Sequence, residues 1–368
     1  MGAYMLKVIE LFAGVGSQTE SLKEIGLNHE VIAISENDKY ASRAYELLHG
    51  KVNNLGDIRK IDELPTADMW TYSFPCTDIS LAGTQKGFDK GSKTESSLLW
   101  EVERLLNKAS INDNLPNILF MENVKALISK RFIDDFKVWL KFLESLGYTN
   151  KYKVLNAKDY NTPQNRERVF LFSFRNDKGY EFPETEDLSL KLGDLLEKEV
   201  EDKYFITIKR INNFTDMENR NGFIRGLTFR PLERTSPVAY TVTTRSGARS
   251  TDNFIIVPEN TKKGFKEADV GDGIYINRPH QKRGVVQKSK IPTLKTSPND
   301  LGVVVNKDEL ISLRKITPRE AWRLMGWKDS RIDLIIDEFS NTQLYKMAGN
   351  GIVINVLNAM FKKLKEQI

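Results

Sequence analysis

The chain has 368 residues, 40% of them hydrophobic, which suits one large domain or two; it shows neither an apolar run long enough for a bilayer nor a signal-type start, so a soluble, cytoplasmic protein with no membrane partner is expected. Its one cysteine, Cys76, excludes an intrachain disulfide and a cysteine-built zinc site, and His29, His49 and His280 lack metal-ligand spacing, so no metal is expected. Net charge is +5, but residues 203–296 hold 18 Lys and Arg against 8 Asp and Glu, a local +10 that leaves the remainder at −5 and points to a phosphate-binding surface.

Leu6–Leu11 is predicted as a buried strand, followed by a glycine turn and a helix over Ser17–Ile25. Val31–Ser35 is a second strand and Tyr40–Leu48 a second helix. Met69–Ser73 is a strand, Ser97–Leu106 a helix, Asn117–Met121 a strand, and Phe132–Leu146 an amphipathic helix, and Val169–Phe174 closes the series. This alternation predicts a parallel, doubly wound α/β sheet. It stops near residue 175, and residues 176–311 hold short β-rich pieces such as Phe223–Phe229, Ala239–Thr244 and Phe254–Val257, expected to form a second, smaller domain. Helical patterning returns at Pro318–Met325 and at Ile352–Leu364.

Four blocks at strand ends carry chemistry. Glu10-Leu11-Phe12-Ala13-Gly14-Val15-Gly16-Ser17 gives a tight turn before a helix N-terminus, and Glu36 ends the next strand, where a carboxylate can accept ribose hydroxyls. The spacing is not the three-glycine dinucleotide pattern, which disfavours a Rossmann oxidoreductase. Cys76 stands in Ser73-Phe74-Pro75-Cys76-Thr77-Asp78-Ile79-Ser80, after a strand and before a loop, 81–96, with the composition of a lid. A cysteine at that position is a candidate nucleophile. Met121-Glu122-Asn123-Val124 puts a carboxyl group at a neighbouring strand end, and Gln164-Asn165-Arg166-Glu167-Arg168-Val169 offers two arginines able to project to one side.

In order and content these blocks resemble the bacterial and phage DNA cytosine-C5 methyltransferase family. The likeness continues through Gly56-Asp57-Ile58, Arg314-Lys315-Ile316-Thr317-Pro318-Arg319-Glu320-Ala321, Leu324-Met325-Gly326-Trp327 and Ala348-Gly349-Asn350-Gly351. Two positions depart from the family pattern: Thr77 where glutamine is usual, and Gly351 where serine is usual. The resemblance implies an S-adenosylmethionine-dependent methyltransferase sheet, formed by residues 1–175 and 312–368, with a target-recognition domain at 176–311. It implies methyl transfer from S-adenosylmethionine to C5 of a cytosine flipped out of double-stranded DNA. Cys76 would add to C6, Glu122 would act at N3, and Arg166 and Arg168 would stabilise charge.

Phe12, Ala13, Gly14, Val15, Ser17, Glu36, Asp57, Ile58, Pro75, Leu98, Trp327 and Asn350 would line the cofactor pocket. Ser80 and Gln85, with Arg245 and Arg249 in the basic segment, are expected on the DNA. The resemblance further implies a monomer that protects DNA from a separate restriction endonuclease. A tRNA enzyme of related sequence would carry little between the motif groups, so the long basic insert favours DNA. A silent DNA-binding scaffold is disfavoured by the intact Cys76, Glu122 and Arg168 set.

Overall fold

A computed structural model describes residues 4–75, 98–204, 255–258, 265–275, 285–294, 301–307, 310–314 and 316–368. The expectations at Cys76, Ser80, Gln85, Arg245 and Arg249, for the loop 81–96 and for strands at Phe223–Phe229 and Ala239–Thr244 lie outside these residues. Four strands run parallel: β1 (Leu6–Leu11), β2 (His29–Ser35), β3 (Met69–Tyr72) and β4 (Ile118–Val124). With β5 (Thr149–Asn156), the two-residue β6 (Gln164–Asn165) set apart, and β7 (Glu167–Phe174), the sheet order is β2-β1-β3-β4-β7-β5.

The sheet is mixed rather than parallel throughout, which corrects the expectation from the strand–helix rhythm. β7 runs antiparallel to both β4 and β5. Its direction follows from the connection, because only residues 157–166 separate it from β5, too few for the helical crossover that a parallel neighbour needs. β5 itself, Thr-Asn-Lys-Tyr-Lys-Val-Leu-Asn, is an edge strand with Leu155 alone fully buried, so no apolar run announces it.

Strand alternation builds two cores, one on each face. Ile118 and Phe120 of β4 with Phe170 and Phe172 of β7 point to one face, and Leu119 and Met121 with Val169 and Leu171 to the other. The first face is covered by α1 (Ser17–Glu24) and the last helix, whose Phe361 ring meets Phe120 edge-on at 5.1 Å. The second is covered by α3 (Leu99–Ile111), through Val102, Leu105 and Leu106, and by α4 (Ile133–Ser145), through Phe136, Trp139 and Leu143. Between β2 and β3 lies α2 (Lys39–His49), which starts on Asp38, whose carboxylate accepts from the Tyr40 and Ala41 amides.

The chain after residue 175 is joined to this body at several points. Tyr180 and Leu192, the latter opening the short α5 (Leu192–Leu195), belong to the first core. The short strands β8 (Ile255–Pro258) and β9 (Phe265–Ala268) form a hairpin, and β10 (Gly273–Tyr275), β11 (Val286–Gln287), β13 (Leu301–Lys307) and β14 (Leu310–Arg314) form a four-stranded antiparallel sheet. The intervening β12 (Ile291–Pro292) pairs with β6. The chain then returns through α6 (Pro318–Arg323), α7 (Asp329–Ile332) and α8 (Asn341–Asn350) to α9 (Ile354–Lys365) beside α1. A capping box between Thr317 and Glu320, with Pro318 in the first turn, starts α6. Among the described residues no helix is long and apolar enough to cross a membrane.

Candidate active site

The sheet order reverses between β2-β1 and β3-β4, so the carboxyl ends of β1 and β3 flank a crevice of the kind that holds ligands in open α/β sheets. The blocks that end β1, β2, β3 and β4 therefore share one edge. β7 is reversed, so its first residues, not its last, reach that same edge. This brings Arg168 to Glu122. In the register Glu122 lies opposite Phe170 and Val124 opposite Arg168, which makes Glu122 and Arg168 diagonal neighbours on one face.

Arg168 Nε lies 3.1 Å from Glu122 Oε1. Glu122 is only 7% exposed. Burial pushes its carboxyl above the usual carboxylate range, while the positive charges of Arg168 and Arg166 pull it back. A carboxyl group so balanced can hold or share a proton at neutral pH. Arg166 is also buried, but its guanidinium donates to the carbonyls of Leu294 (2.9 Å), Gly349 (3.0 Å) and Gly351 (2.8 Å). It thus ties the edge of β7 to the 349–351 segment and acts on Glu122 through its charge.

Asn123 points to the opposite face from Glu122. Its side-chain amide donates to the Phe74 carbonyl at 3.1 Å and its Oδ1 accepts from the Val124 amide at 2.8 Å. Phe74 is buried, and the segment that leads into Pro75 is thereby fixed against the end of β4. Sequence reasoning quoted Asn123 without giving it a task, although strand alternation alone places it toward β3.

The loop after β1 bends through Phe12 (φ 57°), Gly14 (φ 56°) and Gly16 (φ 76°). The Gly14 amide donates to Glu36 Oε2 at 2.8 Å, and the Asp38 amide donates to Oε1 at 2.7 Å. Gly14 has open space where a side chain would be, with Glu36 at the end of β2 beside it. A β-carbon at Gly16 would instead fall 2.6 Å from both the His49 and the Tyr45 rings. Below the loop, Glu10 is fully buried and accepts from the Thr19 amide and hydroxyl, both at 2.9 Å. Burial pushes its carboxyl up to about 7.

The other expected cofactor residues gather at the same edge. Asn54 Oδ1 accepts from the Glu36 and Gly56 amides, and Ser35 donates to the Gly56 carbonyl, which stitches the turn at Asp57 and Ile58 to the end of β2. Arg104 of α3 donates to the Ile58 and Ile61 carbonyls and so draws this turn toward Leu98, the residue before α3. Asp57 pairs with Arg59, which holds its carboxyl below the ordinary range. Ser17 is buried and accepts from the Ile352 amide at 3.3 Å, so the segment with Asn350 lies against the start of α1. Trp327 packs on Trp322 and stands 6.2 Å from His49, one layer beneath the loop. Among the described residues no cluster of His, Cys, Asp and Glu could hold a metal.

A strand-end loop with a carboxylate, a strand-end carboxyl paired with arginine, and a cysteine-bearing segment fixed between them accord with what the sequence is similar to. A sequence model of the C-5 cytosine-specific DNA methylases matches residues 6–366. The chain belongs to that family. This DNA cytosine-C5 methyltransferase is 32% identical to the type II methyltransferase M2.ScrFI of Lactococcus lactis subsp. cremoris, over 98% of this chain and 99% of that one. It is 30% identical to the type II methyltransferase M.HhaI of Haemophilus parahaemolyticus, over 96% and 92% of the two chains. Its fold is similar to that of the Dnmt2 methyltransferase of S. pombe, with a TM-score of 0.64 at 18% identity and 99% of each chain covered.

In this methyltransferase the polar residue that most ties the site together went unassigned in the sequence. Gln164 is fully buried, donates to the Leu324 carbonyl at 2.8 Å, and accepts from the Leu294 amide at 3.0 Å. It joins the β6 edge to segments about 130 and 160 residues away. Nothing local to Gln164 signals those partners.

Proposed function

We propose that this methyltransferase uses S-adenosylmethionine to methylate C5 of a cytosine flipped out of duplex DNA, through a covalent bond from Cys76 to C6. The observation that carries the reading is the Glu122–Arg168 pair at 3.1 Å, adjacent in sequence to Asn123, whose amide holds the Phe74 carbonyl two residues before Cys76. The residues at the cofactor edge suit S-adenosylmethionine: an open glycine loop at a helix start, Glu36 to accept ribose hydroxyls, and Asp57 on the turn beside it. Phe12, Ala13, Val15, Ser17, Ile58, Pro75, Leu98, Trp327 and Asn350 complete the set we assign to it. Bound there, S-adenosylmethionine supplies an electrophilic methyl group.

The thiolate of Cys76 adds to C6, and the ring electrons shift toward N3 and make C5 a nucleophile. Glu122 holds the proton at N3 that disperses this charge. Arg168 steadies Glu122 and the base's exocyclic oxygen. After C5 is methylated it loses its proton, the C6–sulfur bond breaks, and the thiolate returns. Residues 176–311 form the target-recognition domain in this reading, with the +10 segment at 203–296, including Arg245 and Arg249, on the phosphates and bases, and Ser80 and Gln85 at the target nucleotide. Because its similar relatives are type II methyltransferases, we assign the protein to protection of DNA from a separate restriction endonuclease, acting as a cytoplasmic monomer.

Fluorine at C5 cannot leave as a cation, so DNA with 5-fluorocytosine in the recognised sequence should trap the enzyme. The complex should survive denaturation, require S-adenosylmethionine, and map to the peptide bearing Cys76, the chain's only cysteine. Cys76→Ser should bind DNA but neither turn over nor trap. Trapping on RNA and not on DNA would overturn the choice of substrate. Turnover on cytosine without trapping would overturn the covalent route.

A further inference from the structure

We propose that His49, the last residue of α2, is a positioning residue that holds the glycine loop in its cofactor-binding shape. The proposal rests on the reading that this loop holds S-adenosylmethionine. The start of α1 creates the need. The Thr19 amide, which a longer helix would direct to the Val15 carbonyl, donates instead to Glu10. Val15 is buried, so its carbonyl must find a donor elsewhere. His49 Nε2 lies 3.0 Å from it.

The ring is fixed from several sides. Its side chain is 2% exposed. The Lys23 ammonium is 3.2 Å from Nδ1, so Nδ1 accepts and the proton sits on Nε2, facing Val15. Burial, with Lys23 second, pushes the ring's proton affinity down to about 3, which keeps it neutral in that tautomer. Tyr45 packs on the ring at 4.7 Å and Trp327 at 6.2 Å. Glu20 approaches Nδ1 at 3.7 Å, but Arg331 takes both of its carboxylate oxygens and also donates to the Leu48 carbonyl. α7 thereby holds the end of α2, and α2 holds the loop. Gly16 follows Val15 and leaves room for the ring: a β-carbon there would lie 2.6 Å from Nε2.

The test compares two polar variants of the full-length enzyme. The amide nitrogen of His49→Gln reaches as far along the side chain as Nε2, whereas that of His49→Asn stops at the position of Nδ1. Leaving the buried carbonyl unsatisfied should weaken S-adenosylmethionine binding about tenfold or more in His49→Asn, whereas His49→Gln should stay within about threefold of wild type. The readouts are calorimetric titration with S-adenosylmethionine and its KM, beside kcat at saturating cofactor and DNA affinity. Loss confined to cofactor Kd and KM, with rescue by Gln, supports the proposal. Equal binding by both variants overturns it, as does a parallel fall in kcat and DNA affinity. Wild-type enzyme that fails to bind S-adenosylmethionine would instead overturn the cofactor reading itself.

Discussion

Two buried glutamates behave differently because their partners differ. Glu122 faces a guanidinium across 3.1 Å, whereas Glu10 faces a hydroxyl and an amide, so only Glu122 gains charge compensation from a direct partner. Glu122→Gln keeps the volume but removes the proton, and single-turnover methyl transfer should slow by about a hundredfold or more with DNA affinity preserved. A loss in DNA affinity alone would move Glu122 out of the chemistry. Glu10 offers a stability test. Its carboxyl stands at about 7 in the folded protein, against about 4.3 in an unfolded chain, so the folded state binds the proton more tightly. That stability is full below about pH 4, falls as pH rises toward 7, and is gone above it, on the order of 3 kcal/mol in all. Urea unfolding of Glu10→Gln should show a flatter curve across this window and a smaller relative deficit at pH 8 than at pH 4.5.

At the level of elements, the site depends on turns that join strand ends. Asn123→Ala removes the donor to Phe74 and the acceptor for Val124, both buried or half-buried, at a cost of about 1–3 kcal/mol. Because the freed segment leads into Cys76, kcat should fall about tenfold while cofactor affinity changes little, which steady-state kinetics and titration resolve. Gly16→Ala should do the reverse. The left-handed backbone costs a non-glycine residue about 1 kcal/mol, and the overlap with His49 and Tyr45 adds more. Cofactor affinity and melting temperature should drop together, with DNA binding spared.

Across the whole molecule, the insert returns the chain to the sheet through few but specific joints. Ile291 and Leu294 enter the main core, β12 pairs with β6, and Arg166 and Gln164 each bond to Leu294. Recognition can therefore vary between residues 203 and 290 without disturbing these joints. Exchanging that stretch with one from a relative of different specificity should move the methylated sequence with it, as read by bisulfite sequencing. Neutralising its Lys and Arg should lower the salt slope of DNA binding by about one per lost phosphate contact. A methylated sequence that stays with the host chain would place recognition elsewhere.

Sequence alone determined the strand–helix alternation, the glycine loop, and the blocks at Glu122 and Arg168, because apolar periodicity and strand-end chemistry are local and survive in a one-dimensional string. It did not disclose β5, whose exposed face erases the pattern, nor the reversal of β7, which is set by the shortness of residues 157–166. That reversal decides the site, since only an antiparallel β7 brings Arg168 to the same edge as Glu122. The partners of Arg166, Gln164 and His49 were equally hidden. Each is a buried polar group whose hydrogen-bond needs the sequence states but whose answers, main-chain carbonyls and amides distant along the chain, exist only once the chain has folded.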